Sequence, residues 1–119
     1  MAPEQARGEE DIDARADIYG LGCVAYYLLT GALVFHASSA ISMALAHIEQ
    51  KPEPPSQRVE LPIPPSLERV VLSCLEKKRE DRPQTAPELD ALLAACADVP
   101  EWTQADARRW WLLHRPERS

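Results

Sequence analysis

From Ile18 to Leu29 almost every residue is apolar or small, and no other feature limits so strongly what this chain can fold into. Asp13 stands ahead of the run as a helix N-cap and Gly31 follows it as a stop, so the spacing predicts one helix ending near Thr30. A helix that is apolar all round must be surrounded by other elements. Carried on to Phe35, the run is long enough to be weighed as a membrane span. Its glycines, Thr30 and tyrosines make a poor lipid-facing surface, so a buried core helix is the better reading and no membrane is expected.

The rest of the chain offers that helix partners. Ser38 or Ser39 caps a second helix through about Gln50, with Ile41, Ala44, Leu45 and Ile48 spaced as one buried stripe. Its opposite face carries Ser42, His47, Glu49 and Gln50. Prolines crowd the stretch from Lys51 to Pro65 and predict an extended or turning loop. A third helix runs from Ser66 to about Lys77, with Leu67, Val70, Val71, Cys74 and Leu75 on one face. Thr85 and Glu88 have the spacing of a capping box and open a fourth, with Leu89, Leu92, Leu93 and Cys96 inward. Thr103 to Asp106 begins a tail helix that leads into Trp110 and Trp111. No segment alternates like a strand, and residues 1–12 are polar and irregular. The fold class is therefore all-α, four or five helices joined by Pro-rich loops.

At 119 residues the chain makes at most one domain. A net charge of −6 argues against a general nucleic-acid binder. Cys23, Cys74 and Cys96 are odd in number, far apart and set in apolar stretches, the usage of reduced cysteine in a cytoplasmic protein. Together with His36, His47 and His114 they give no metal-ligand spacing, and as apolar helix positions they make poor nucleophiles.

Three short motifs carry a family resemblance. Ala2-Pro3-Glu4 resembles the A-P-E that closes the activation segment of eukaryotic-type protein kinases. Asp17 to Gly22 resembles the D-x-x-x-x-G that opens that family's central lobe helix, and Glu80-Asp81-Arg82-Pro83 the loop carrying its late structural arginine. Their order and spacing agree, as do Thr30-Gly31 and the Pro-rich loop. Arg15-Ala16-Asp17-Ile18-Tyr19 and the Trp-rich tail look most like bacterial serine/threonine kinases.

The resemblance implies the helical second half of a kinase C-terminal lobe, covering residues 1–98, with residues 99–119 as a tail packed on it. It pairs Glu4 with Arg82, as a carboxylate and a guanidinium can meet two-pronged where Lys cannot. It gives Asp17 hydrogen bonds from the catalytic loop's backbone; alone, Asp17 is an acidic residue favourable to the helix dipole. Gly20 and Gly22, each costing about 1 kcal/mol relative to Ala inside a helix, point to a close backbone approach. The second helix corresponds to the lobe's outward helix, whose polar face either meets substrates or regulators or is merely solvated.

Phosphoryl transfer needs a Gly-rich loop, a strand Lys paired with a helix Glu, a catalytic Asp and Asn, and the D-F-G Asp for magnesium. None is in the sequence, which has no H-R-D and no D-F-G. The expectation is a kinase piece, inert alone, that begins at an internal Met1 just ahead of A-P-E. ATP and Mg²⁺ belong to the intact family, as does a protein substrate; no catalytic, cofactor or metal residue is expected here. Two alternatives stand beside it. One is a helical interaction module or pseudokinase-like remnant whose apolar first helix is covered by the missing kinase half or another protein. The other is a helical bundle of unrelated ancestry. In the tail, Arg108, Arg109, Arg115 and Arg118 beside Trp110 and Trp111 read either as Trp packing on the lobe or as an arginine–aromatic contact surface.

Overall fold

Asp13 caps the longest helix through its carboxylate, which accepts from the Arg15 amide at 2.9 Å, and Gly31 ends it in the left-handed region at φ 70°. In the computed structural model, which describes residues 1–60 and 62–96, this helix is α2, Ala14–Thr30. Ahead of it lies α1, Pro3–Ala6, and after it come α3, Ala40–Glu49, α4, Pro65–Cys74, and α5, Ala86–Ala94. Short 3₁₀ turns at Pro55–Gln57 and Arg79–Asp81 punctuate the loops, and no strand occurs among the described residues. The all-helical expectation therefore stands, while the predicted tail helix and the boundary at residue 98 lie outside the described residues.

Helix α4 lies along α2, α5 packs on α4, and α1 packs on α3. Tyr19 and Tyr26 of α2 are wholly buried in one core with Ala2, Ala16, Val34, Phe35, Ala46, Val71 and Leu75. A smaller core joins Ile18, Cys74 and Leu89. Gly22 makes the α2–α4 approach possible: a Cβ built there would stand 2.7 Å from the Cys74 Cβ. Gly20 has nothing within 4 Å of such a Cβ, so the close approach belongs to Gly22 alone.

Five expectations need correction. Pro3–Ala6 is a turn of helix rather than irregular chain, started by Pro at its first position and tied by Gln5 Oε1, which accepts from the Ala2 amide at 2.8 Å. Among the described residues helix α2 is not surrounded: Leu21, Val24, Tyr27 and Leu28 are 50%, 56%, 52% and 77% exposed. No described element covers that face, which α4 and α5 only flank. In α3 the buried residues are Ala46 and His47, whereas Ile41 and Leu45 are exposed. Both faces of α3 carry apolar residues, so spacing alone did not choose between them. In α5, Leu89 is buried but Leu92 and Leu93 are exposed, Leu93 beside the uncovered face of α2. Finally, α4 stops at Cys74. Its end tightens into i→i+3 bonds, Leu75 N to Leu72 O and Glu76 N to Ser73 O. That turn leaves the carbonyls of Glu76 and Lys77 aimed at another side chain, Arg82.

Candidate functional site

The amino-terminal peptide Ala2-Pro3-Glu4 is buried, and a single arginine holds it there. Both Glu4 carboxylate oxygens accept from Arg82, Oε2 from Nη1 and Oε1 from Nη2, each at 2.7 Å. Each residue is only 3% exposed. Arg82 also donates from Nε to Glu76 O at 2.9 Å, from Nη1 to Arg15 O at 2.9 Å and from Nη2 to Lys77 O at 3.3 Å. These bonds occupy all the N–H groups of the guanidinium. Its carbon lies 5.0 Å from the centre of the Tyr19 ring. One side chain thus ties together α1, the start of α2 and the loop after α4, contacts that Lys has neither the donors nor the planarity to reproduce.

Hydrogen bonding from Arg82 holds the Glu4 carboxyl below the usual carboxylate range, against the opposing effect of burial. The pair is fully compensated, and among the described residues no buried side-chain nitrogen or oxygen lacks a partner. A second, exposed layer closes over it. Arg79 grips the Asp11 carboxylate and donates to Asp11 O at 2.7 Å. Arg15 spans Asp13 and Gln84, donating to Gln84 Oε1 at 2.9 Å. The hydrogen bonds from Arg15 hold the Asp13 carboxyl down to about 2.

Sequence reasoning placed His47 on a solvated face, but its ring is buried between Tyr19 and Phe35. The Tyr19 hydroxyl is 2.7 Å from His47 Nδ1. Burial pushes the imidazole down to about 4, so it is neutral at neutral pH. Lys77 donates to the His47 carbonyl at 2.8 Å, at the last turn of α3, and its nitrogen lies 4.8 Å from the centre of the Phe35 ring. Burial lowers the Lys77 amine to about 8. No spacing pattern announces this cluster, because its members come from four separate segments. Tyr19 within the apolar run, with its hydroxyl in need of a partner, was the only sequence signal.

Asp17 lies exposed in the first turn of α2, and no described residue hydrogen-bonds its carboxylate. The uncovered face of α2 meets α4 and α5 in an apolar groove of about 290 Å³, lined by Leu21, Val24, Leu28, Val70, Leu89 and Leu93 among others.

No protein-family model matches the chain. Individual relatives do. It is 41% identical over 121 aligned residues, 98% of its length, to the serine/threonine-protein kinase PknB of Mycolicibacterium smegmatis. It is 50% identical over 91 residues, 76% of its length, to PknB of Mycobacterium leprae, and 42% identical over 96 residues to the serine/threonine-protein kinase Pkn3 of Myxococcus xanthus.

The chain is homologous to a segment of bacterial serine/threonine kinases.

It spans only 19%, 14% and 17% of those three kinases, less than a fifth of each. Its described helices have the fold of the second half of a kinase C-terminal lobe, as the resemblance implied. No group of three or more His, Cys, Asp or Glu among the described residues could hold a metal ion, and the kinase motifs that bind phosphate and magnesium are not in the sequence. Among the described residues no helix is long and apolar enough to cross a membrane.

Proposed function

We propose that this chain supplies the part of a serine/threonine kinase C-terminal lobe that anchors the end of the activation segment. The observation that carries the reading is the buried two-pronged bond between Glu4 and Arg82, formed by the two motifs that the resemblance pairs. In this role Arg82 fixes the register of the amino-terminal peptide on the helical scaffold. Asp17, exposed at the head of α2, is free to accept the backbone of a catalytic loop contributed by the preceding part of the lobe.

On this reading the polypeptide alone does not transfer phosphate. The groups that position and stabilise the phosphoryl transition state all lie ahead of A-P-E in the kinase order. ATP, magnesium and a Ser/Thr-bearing protein substrate belong to the intact enzyme, and the setting is the cytoplasm. Titration of the isolated chain with Mg·ATP is the test: no heat of binding and no transfer to a generic protein substrate are expected. Tight, magnesium-dependent ATP binding would refute the claim of inactivity.

The partner in this proposal is the preceding half of the lobe, covering Leu21, Val24, Leu28 and the groove beside them. A second reading, a helical module for some other protein, is favoured by the same exposed apolar surface. Co-expression with a relative's kinase segment ending just before A-P-E separates the two. Stable co-purification that Leu28→Asp abolishes supports the first; a soluble, dye-silent monomer in analytical ultracentrifugation that ignores the segment counts against both.

A further inference from the structure

Four contacts in the interior close on themselves. Arg82, already bound to Glu4, lies over the ring of Tyr19. The Tyr19 hydroxyl meets His47 Nδ1 in α3, the His47 carbonyl accepts from Lys77 Nζ, and the Lys77 carbonyl accepts from Arg82. The ring visits α2, α3 and the loop beyond α4, then returns to the group that holds the amino-terminal peptide. It is buried where it matters: Tyr19, His47 and Arg82 are 0%, 7% and 3% exposed.

We infer that this ring makes the placement of α3 and the seating of residues 2–9 one cooperative unit, so that a shift of either is felt by the other. The physical ground is that three of the four links are hydrogen bonds between buried or half-buried groups. Losing one link strands a buried polar group unless the next link also moves. Lys77 is the hinge, since its amine grips the last turn of α3 while its backbone serves Arg82. Direct packing of α1 on α3 runs beside the ring and reinforces the same coupling. The exposed side of α3, with Ile41 and Leu45, is thereby connected to the Glu4–Arg82 bond without touching it.

Coupling is established by perturbing one end and reading the other. Lys77→Met removes the grip on α3 but leaves the carbonyl that Arg82 uses; Tyr19→Phe removes one hydroxyl and leaves the ring. In the full chain two readouts report the far end: the Glu4 carboxyl pKa by NMR, and exchange of the Arg7 and Glu9 amides, which bond to Pro3 O and Glu4 O. Both variants are expected to raise the Glu4 pKa towards the ordinary carboxylate value and to speed those amides by roughly five- to tenfold, the loss of about one hydrogen bond. The Leu89 and Ala95 amides of α5 should not change. Faster exchange at Gln50, which caps the end of α3, with Glu4, Arg7 and Glu9 unmoved would overturn the inference, showing two independent elements. Equal acceleration everywhere, α5 included, would also overturn it, since it reports only global opening.

Discussion

Gly20 and Gly22 are two residues apart in one helix, and the structure predicts opposite outcomes for the same substitution at each. Exchanging a helix-interior Gly for Ala gains about 1 kcal/mol of helix propensity. At Gly20 nothing lies within 4 Å of the new methyl group, so Gly20→Ala should keep that gain and stabilise the chain by about 1 kcal/mol. At Gly22 the methyl would sit 2.7 Å from the Cys74 Cβ and 3.1 Å from Leu75 Cδ2. Carbon atoms prefer ~3.5–4.0 Å, so about 1 Å must be found. The Leu75 side chain can turn, but the Cys74 Cβ moves only with the backbone of α4. Pushing α4 away loosens Val71, Cys74 and Leu75, all buried against α2. Overpacking of this kind costs ~1–3 kcal/mol, and a fixed neighbour puts it at the upper end. Set against the propensity gain, Gly22→Ala should destabilise by about 2 kcal/mol. Urea unfolding followed by far-ultraviolet circular dichroism gives both values, with equal m required for the comparison. If Gly22→Ala were as stabilising as Gly20→Ala, helices α2 and α4 would not approach as described.

Acid should weaken the fold in two stages. His47 has its pKa lowered from 6.5 to about 4 in the folded chain, so its contribution is fully present above 6.5 and is lost as the pH falls from 6.5 towards 4. That loss amounts to roughly 3 kcal/mol at most. Glu4, also held below its ordinary value, adds a further loss as the pH falls below 4.5. Urea midpoints measured across this range should decline, and His47→Gln should flatten the stretch between 6.5 and 4; an unchanged slope would exclude His47 as its source. Thr85→Ala removes the oxygen that accepts from the Glu88 amide at 3.2 Å and should cost about 1 kcal/mol by the same assay, with no effect taken as evidence against this start of α5.

Helix ends were the most legible part of the sequence. Asp13, Gly31, Ser39 and Thr85 each announce a boundary through local chemistry, and each stands at the boundary observed. Which face of a helix turns inward was harder to read. Ile41 and Leu45 look like core residues until Ala46 and His47 are seen to pack instead, because Tyr19 and Phe35 supply the imidazole with a hydrogen bond and two ring edges. A buried His with a partner from another helix is invisible to periodicity. Leu92, Leu93 and the outer side of α2 read as core because they are apolar, yet no described element covers them. The approach of Glu4 to Arg82 was legible only through the family resemblance, since the two are 78 residues apart and either would otherwise pass for a solvated charge.

The account rests on Glu4 and Arg82 touching in the interior, and a double-mutant cycle with Glu4→Met, Arg82→Met and the combined variant tests this most directly. Each single change strands a buried charge and should cost about 3–5 kcal/mol, whereas removing both strands none, so the double variant should be no less stable than the worse single one. The predicted coupling is roughly 3 kcal/mol or more from urea unfolding. Additive losses within ~0.5 kcal/mol would mean that the two side chains do not meet, and the anchoring role with them would be contradicted.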